Sequence, residues 1–198
     1  AGPPAASWTR RLGADAGLAH ALVCAAVRET FEEAGVLLAG RSTAAVADPT
    51  GGTWPADRAA LERHELSLAQ LLARRRLVLR ADLLAPWSHW ITPAAEPRRY
   101  DTRFFVAALP AGQRTADSTG EADDVAWRRP LDALAEAAAG TRRMFPPTVV
   151  SLREIAPYAD VGAVLRAAAE RPVETITPTV RHRQVVLPDG TSFAAPGP

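Results

Sequence analysis

The amino-acid sequence predicts an α/β (α+β) fold, in which a mixed sheet is sandwiched between helices. Helix-like and strand-like segments alternate along the chain, which favours this class. Residues 99–109, RYDTRFFVAAL, pass from polar–apolar alternation into an apolar run, which is typical of a strand. The chain has 198 residues and no internal repeat or dividing linker, so we expect residues 1–198 to form a single domain.

The first half of the chain is predicted to be mainly helical. A long helix is expected from Asp15 to Ala34, and Gly35 follows it as a left-handed helix cap would. Residues 1–7 are expected to be loop-like, and residues 36–39 are expected to form a short strand. A loop is expected at 40–55 and a helical stretch in two pieces at 56–76. The helical stretch breaks near His64, and its second piece has a Ser start and a basic end that suit the helix dipole.

The second half is predicted to mix strands and helices. Extended chain is expected over residues 77–92, followed by the strand at 99–109, a polar loop and a short strand in VAWRRP (125–130). Helices are expected at 131–139, 146–156 and 160–170. The segments PVETITPTV (172–180) and RQVVLPDG (183–190) predict a two-stranded element near the end.

Composition excludes several classes of function. The net charge is +1 with 47% apolar and 23% charged residues, so we expect neither a nucleic-acid nor a membrane partner. All 23 basic residues are arginine, so a phosphate contact from a basic side chain must come from Arg. The single cysteine, Cys24, excludes an internal disulfide and a thiolate zinc site. With no signal peptide or membrane-length run visible, we expect a cytoplasmic protein, and the initial Ala indicates a processed or cut N-terminus.

The stretch RETFEEAG, residues 28–35, places three glutamates on one side of the long helix. At about 100° per residue, Val23, Val27, Phe31 and Ala34 form an apolar stripe, and Glu29, Glu32 and Glu33 lie opposite. The acidic side continues a partly apolar side that includes four residues, Leu18, Leu22, Ala25 and Ala26. We therefore expect the first half of this helix to be covered on both sides.

The glutamates permit two interpretations from periodicity alone, a solvated acidic face or a cation site. Like charges spaced i,i+3 or i,i+4 destabilise a helix. These glutamates also lie in the last turns of the helix, where the helix dipole favours cations. Carboxylates without His or Cys suit hard cations such as Mg²⁺ or Mn²⁺, which share their shell with substrate phosphates. Such a site is typical of enzymes that cleave phosphoryl or pyrophosphate bonds.

RETFEEAGV resembles the second half of the Nudix box, Arg-Glu-U-x-Glu-Glu-x-Gly-U, where U is a bulky apolar residue. Thr30 stands at the first U position, and Ala14 and His20 stand where a continuous box has Gly and Glu. An insertion inside the box is a feature of the peroxisomal acyl-CoA diphosphatase (Nudix type 19) branch and its bacterial relatives, which this sequence resembles. Further similar segments are HWITP, RRYDTRFFVAALP, GEADDVAWRRPLDAL and MFPPTVVSLREIA.

The resemblance implies a Nudix-type mixed sheet between helices, with extra helical insertions. It implies that the chain begins within the insertion and that the N-terminal part of the box and the first strands lie outside this sequence. Residues 1–14 are then expected to be a flexible remnant of the insertion, and residues 179–198 a C-terminal extension.

The resemblance also implies roles for particular residues. Glu32 and Glu33 would bind Mg²⁺ or Mn²⁺, Glu29 would bind metal or help to activate water, and Arg28 would pair with a glutamate and orient it. A further catalytic glutamate is expected at Glu121, with Asp123 and Asp124 as rivals and a solvated acidic loop as the alternative.

Residues on the main strand are candidates for substrate binding. Arg98, Arg99 and Arg103 flank the strand, and alternation puts Arg99 and Arg103 on one face, opposite Arg98. One of them could hold a pyrophosphate, although a solvated or ion-paired role is favoured for each, and Asp101 shares the face of Arg99 and Arg103 as a possible partner. Trp87, Trp90 and Phe104 could stack an adenine or line an acyl channel, although core packing is favoured for each. The four histidines show no metal-ligand spacing.

Two functions follow. The first is a Mg²⁺- or Mn²⁺-dependent hydrolase of a nucleoside diphosphate linked to another moiety. The branch resemblance favours CoA or acyl-CoA, giving 3′,5′-ADP and (acyl-)phosphopantetheine. The second is a catalytically silent Nudix-fold module that binds a nucleotide or regulates a partner. Oligomeric state and acyl preference depend on surfaces that the sequence does not define.

Overall fold

The computed structural model describes residues 2–116, 126–182 and 184–194. The chain divides into two compact units, the first formed by Ala1–Ala85 with Ala107–Ala126 and the second by Pro86–Val106 with Trp127–Pro198. The described residues contain seven α-helices and eight strands, which confirms the mixed α/β class. The two units are recognised from the contacts within each of them, which does not test whether residues 1–198 form one domain. The single domain therefore stays a prediction.

The first unit is mainly helical. Its elements are α1 (Ala5–Leu12), α2 (Ala16–Ala34), β1 (Ala39–Gly40), α3 (Trp54–Glu62), α4 (Leu68–Arg75), β2 (Val78–Leu79) and a 3-10 turn (Ala81–Leu83). β1 and β2 pair antiparallel, with Ala39 opposite Leu79.

The second unit contains most of the strands. Its elements are β3 (Leu84–Ile91, whose first two residues belong to the first unit), β4 (Asp101–Ala107, whose last residue does so too), α5 (Pro130–Ala138), α6 (Pro146–Ile155), α7 (Val161–Glu170), β5 (Thr175–Ile176), β6 (Thr179–Arg181), β7 (Gln184–Val186) and β8 (Ser192–Ala194). One sheet has the order β4-β3-β5, with β5 parallel to β3, and the other is an antiparallel β6-β7-β8 sheet.

Helix α2 has local signals at both ends that fix its length. Asp15 caps its start by accepting a hydrogen bond of 2.9 Å from the Leu18 backbone N–H. Gly35 ends it with φ 69°, and its N–H donates to the Phe31 carbonyl. A Cβ at position 35 would lie 2.7 Å from the Ala116 Cβ, so both the backbone angle and the available space require glycine here.

The core of the first unit is organised around the apolar stripe of α2. Four α2 side chains are buried, Ala19, Val23, Val27 and Phe31. Phe31 packs edge-to-face on Trp54 of α3, with ring centroids 6.0 Å apart, and the Arg75 guanidinium of α4 lies 4.1 Å from the Trp54 ring. Buried Asp57 on α3 accepts hydrogen bonds from Arg74 and Arg75 on α4, so these contacts join α3 and α4 to α2.

The break predicted near His64 is confirmed. His64 adopts a left-handed backbone with φ 58° between α3 and α4. Ser67 then starts α4 with a capping box, in which the Ser67 Oγ accepts from the Gln70 backbone N–H and the Gln70 side chain accepts from the Ser67 N–H. Local chemistry therefore defines this pair of helices.

Four local expectations differ from the structure. Helix α1 begins at Ala5 inside the segment expected to be loop, because Trp8 and Leu12 bury their side chains. The strand expected at residues 36–39 is reduced to β1, and residues 126–129 form no strand. Trp127 is 70% exposed there, so the short run has no buried face to stabilise pairing.

The fourth difference concerns the cover of α2. The first half of α2 was expected to be buried on both sides, and this prediction is wrong at Leu18, which is 46% exposed. Leu22, Ala25 and Ala26 are half-buried, whereas the Val23–Phe31 stripe is fully buried as predicted. The C-terminal two-stranded element is confirmed as the β6–β7 pair, to which β8 adds a third strand.

Candidate active site

The three glutamates of the sequence motif lie in the last turns of α2. Glu29 and Glu33 are exposed, with 56% exposure for the Glu29 side chain, whereas the Glu32 side chain is only 13% exposed. The Arg28 guanidinium donates a 3.1 Å hydrogen bond to Glu29 Oε1 and lies 3.8 Å from Glu32 Oε1. The expected pairing of Arg28 with a neighbouring glutamate is therefore confirmed.

Glu32 has an incompletely satisfied carboxylate. Its Oε1 atom is buried and accepts no hydrogen bond. Burial raises the pKa of Glu32, and Glu29 and Glu62 raise it further, while Arg28 and His64 act in the opposite direction. A carboxylate in this environment gains stability from a proton or from a cation that replaces the missing donor.

Arg58, on α3, holds the C-terminal end of α2. Its side chain is 10% exposed, and its Nε and Nη2 donate to the backbone carbonyls of Glu32 and Glu33 at 2.8 and 3.0 Å. These carbonyls belong to the last turn, where a helix leaves acceptors unpaired and favours a positive charge. Arg58 therefore fixes the backbone that carries two of the predicted metal ligands.

The same arginine lies beside a fourth carboxylate. Glu62 Oε1 is 3.4 Å from Arg58 Nε, is buried and accepts no hydrogen bond. Glu62 also interacts electrostatically with Glu32. Arg58 and Glu62 were not predicted as site residues, because their one signal in the sequence is an i,i+4 spacing on a helix.

Gln113 fixes the segment that follows α2. Its side chain is 5% exposed, its Oε1 accepts from the Leu37 N–H at 3.0 Å, and its Nε2 donates to the carbonyls of Leu37 and Ala47. Ala116 N–H also donates to the carbonyl of Ala34 at 2.9 Å. Gln113 was predicted only as part of a polar loop, because its neighbours in the sequence are polar and its partners are distant backbone groups.

Thr30 is compatible with its apolar position in the motif. Its hydroxyl donates a 2.7 Å hydrogen bond to the Ala26 carbonyl one turn earlier. Because the hydroxyl is satisfied within the helix, a half-buried Thr can replace the bulky apolar residue there.

The donor chemistry of this helix end fits a hard divalent cation. Within the described residues no group of three or more His, Cys, Asp or Glu side chains is arranged to hold a metal ion. Mg²⁺ nevertheless binds through one or two carboxylates plus water and substrate phosphates. Glu32, with its buried oxygen lacking a donor, has the carboxylate chemistry that such binding needs. The other predicted catalytic glutamate, Glu121, and its rivals Asp123 and Asp124 lie outside the described residues.

The arginines of the β4 region differ in availability. Arg103 has a side chain 6% exposed and is ion-paired with Asp101, which confirms the expected partnership between these residues. Arg99 precedes β4, is exposed, and donates from Nε to the Thr92 carbonyl at 3.1 Å. Arg99 is therefore the more accessible of the two arginines predicted to hold a pyrophosphate.

Asp101 belongs to a hydrogen-bond network with His89 and Thr175 that was not predicted from the sequence. His89 is 7% exposed, with its Nε2 2.6 Å from Asp101 Oδ1 and its Nδ1 2.7 Å from the Thr175 hydroxyl. Burial opposes ionisation of Asp101, but hydrogen bonds from Arg103 and His89 outweigh it and lower its pKa. The network joins residues of β3, β4 and β5, and the pairing of His89 with Thr175 in the sheet explains its geometry.

Two of the three aromatic candidates are fixed by packing. Trp87 is 1% exposed, donates from Nε1 to Glu154 at 2.8 Å and stacks under the Arg171 guanidinium at 4.1 Å. Trp90 is 3% exposed and donates from Nε1 to the Ser88 hydroxyl. Phe104 is half-buried and lines a cavity that also touches Trp90. Core packing is therefore confirmed for Trp87.

Among the described residues, none of the helices combines the length and the apolar character that crossing a bilayer requires.

Comparison with known families gives a match over most of the chain. The family model described as the NUDT19 Nudix domain matches residues 9–155. Among solved structures, a crystal structure of a NUDIX hydrolase from Alicyclobacillus acidocaldarius is similar at 25% identity with a TM-score of 0.61, over 75% of this chain and 65% of that one.

Curated relatives are similar at lower coverage of their own length. "Acyl-coenzyme A diphosphatase NUDT19" from Xenopus laevis is 26% identical over 77% of this chain and 43% of the relative. "Putative nudix hydrolase 7" from Caenorhabditis elegans is 29% identical over 82% and 55%, and the human "Acyl-coenzyme A diphosphatase NUDT19" is 29% identical over 88% and 49%. The chain thus spans about half the length of the curated relatives it matches.

Proposed function

The chain belongs to the NUDT19 Nudix domain family, and on that basis we propose that it hydrolyses a nucleoside diphosphate linked to another moiety. CoA or an acyl-CoA is the favoured substrate, giving 3′,5′-ADP and (acyl-)phosphopantetheine. The names of two relatives, which describe acyl-coenzyme A diphosphatases, support this choice. The observation that carries the proposal is the glutamate-rich end of α2, where half-buried Glu32 keeps one buried carboxylate oxygen without a hydrogen-bond donor.

One or two of the carboxylates of Glu29, Glu32 and Glu33 would hold Mg²⁺ or Mn²⁺, with water and substrate phosphates completing the shell, since no three of the described side chains are arranged around one ion. A bound divalent cation neutralises charge on the phosphate oxygens and on the leaving group. The protein's own contribution is to fix the ligands, and Arg58 supports this because it anchors the carbonyls of Glu32 and Glu33.

Glu29 is the proposed base that takes a proton from the attacking water. Its side chain is 56% exposed, so water can reach it, and the hydrogen bond from Arg28 orients the carboxylate. Glu121 remains a candidate for a second catalytic carboxylate. Arg99 is the proposed partner of the diphosphate, because a guanidinium can bind phosphate oxygens bidentately, and Arg103 is retained as a second candidate.

The proposal is tested by assaying CoA hydrolysis with Mg²⁺ for the wild-type chain and for Glu33→Gln. Products are separated by chromatography, so that 3′,5′-ADP and phosphopantetheine are identified directly. Glu65→Gln is the matched control, because Glu65 is an exposed glutamate paired with Arg63 and outside the motif. We expect Glu33→Gln to lose most activity and Glu65→Gln to keep it.

Equal rates for the wild type and Glu33→Gln would reject the metal-ligand role of Glu33. Absence of turnover with CoA, acyl-CoA, NADH, ADP-ribose and nucleoside-sugar diphosphates would reject the hydrolase and favour the silent module.

A further inference from the structure

A cavity of about 590 Å³ lies within the second unit and has mainly apolar walls. Side chains from β3, β4, the start of α6 and the C-terminal strands line it, among them Trp90, Phe104, Phe145 and Val185. The volume falls in the range of roughly 300–1,000 Å³ that is usual for small-molecule sites.

Strand alternation separates this cavity from the charged network of β4. Tyr100, Thr102 and Phe104 line the cavity, whereas Asp101 and Arg103 do not line it and bind each other. Successive side chains of a strand point to opposite faces, so the apolar face of β4 is distinct from its ionic face. The side chains that line the cavity are therefore not needed as partners of Asp101 or Arg103.

The walls are held in place before any ligand binds. Pro146 and Pro147 form the first turn of α6, and proline rings restrict the backbone. Thr92 and Tyr100 fix the β3–β4 loop, since the Thr92 N–H donates to the Tyr100 carbonyl and the Tyr100 N–H donates to the Thr92 hydroxyl, both at 2.9 Å. A preformed wall reduces the entropy that a ligand must lose on binding.

The polar atoms of the wall favour an aliphatic ligand over a nucleobase. The Trp90 Nε1 donates to Ser88, and the Thr92 hydroxyl accepts from Tyr100, so neither is directed to reading a base edge. Tyr100 and Phe145 are 57% and 68% exposed beside the cavity, which leaves apolar surface in water. Covering these rings with a hydrocarbon chain removes that surface from water.

The remaining lining residues indicate that the ligand also has a polar end. Glu96 and Arg98 are exposed and contribute to the cavity wall, where the Arg98 guanidinium can donate to a carbonyl or phosphate oxygen. We propose that this cavity binds the fatty-acyl chain of an acyl-CoA. This assignment rests on the proposed function, because it identifies the acyl group as part of the substrate.

Binding is tested without turnover, by isothermal titration of the full chain with CoA and with dodecanoyl-CoA in the presence of EDTA. The test variant is Phe145→Glu, which introduces a carboxylate into the apolar wall. The matched control is Leu131→Glu, because Leu131 is 66% exposed, lies at the start of α5 and does not line the cavity. Tyr100→Glu is a second test at an independent position.

We expect dodecanoyl-CoA to bind the wild type and Leu131→Glu more tightly than CoA. Phe145→Glu and Tyr100→Glu should each weaken dodecanoyl-CoA binding roughly tenfold and leave CoA binding unchanged. Equal affinity of the wild type for the two ligands would overturn the proposal. An equal loss for both ligands would also overturn it, by assigning the cavity to the CoA part.

Hydrolysis measured separately with Mg²⁺ distinguishes the two proposals. Chain-dependent binding without turnover would reject the hydrolase and support the acyl site. Turnover without chain-dependent binding would support the hydrolase and reject the acyl site.

Discussion

The end of α2 and the start of β4 both carry clustered charges, and the structure treats them in opposite ways. At β4, the Asp101 carboxylate is paired with the nearly buried side chains of Arg103 and His89, and only Arg103 Nε among these three side chains is buried without a hydrogen-bond partner. At the end of α2, Arg58 donates its hydrogen bonds to backbone carbonyls, and the Glu32 carboxylate keeps one buried oxygen without a hydrogen-bond donor. A carboxylate is available to a cation where the fold leaves one of its oxygens without a donor, as at Glu32 and not at Asp101.

The largest expected effect concerns the arginine that fixes the end of α2. Arg58→Met should destabilise the protein by about 3 kcal/mol, since two part-buried carbonyls lose their donor and the buried Oε1 atom of Glu62 loses its nearby cation. Urea unfolding measures this change. Arg63→Met is the control, because Arg63 is 59% exposed and its ion pair with Glu65 is screened by water, so its loss should leave stability nearly unchanged. Equal destabilisation by both variants would contradict the anchoring role.

Glu32→Gln tests whether the incompletely satisfied carboxylate supports catalysis. We expect a fall in kcat/KM for CoA on the order of 100-fold, which corresponds to about 2.7 kcal/mol. The unfolding free energy should be unchanged or higher, because the neutral amide removes the cost of burying a charge. A parallel loss of activity and stability would instead indicate that Glu32 holds the fold.

Asp101→Asn tests the balanced cluster. Its folded pKa is lowered, so Asp101 contributes stability above its ordinary pKa of 3.8, and this contribution is lost as the pH falls through the folded value. The side chain is 54% exposed, so we expect at most about 1 kcal/mol at pH 7. Thermal or urea unfolding from pH 7 to pH 3 should show the variant approaching the wild type. A difference that stays constant with pH would reject the electrostatic explanation.

Arg99→Ala is the smallest expected effect and sharpens the contrast between the two predicted arginines. Arg99 is exposed, so its removal should raise KM for CoA about threefold with little change in stability. Arg10→Ala, another exposed arginine, is the control. Unchanged KM would remove Arg99 from the substrate-binding residues.

The sequence predicted elements whose signals are local. The ends of α2 follow from Asp15 and Gly35, and the start of α4 follows from Ser67. Strand pairing depends on distant partners, so the short β1 and the coil at 126–129 were not predicted.

The candidate site shows the same division. The glutamates and Arg28 were found because they share one helix and one motif. Arg58 and Gln113 were not predicted because they donate to backbone carbonyls 25 residues or more away. Every residue has a backbone carbonyl, so the sequence does not indicate which carbonyls will accept these bonds.

The most direct test of the central claim is the binding of Mn²⁺, measured by electron paramagnetic resonance of the free ion. The wild type, Glu32→Gln and Glu65→Gln are titrated in the absence of substrate. If the end of α2 binds a divalent cation, Glu32→Gln should weaken Mn²⁺ binding about tenfold or more, and Glu65→Gln should match the wild type. The same Mn²⁺ affinity in all three proteins would contradict the claim that the glutamates of α2 form the metal site.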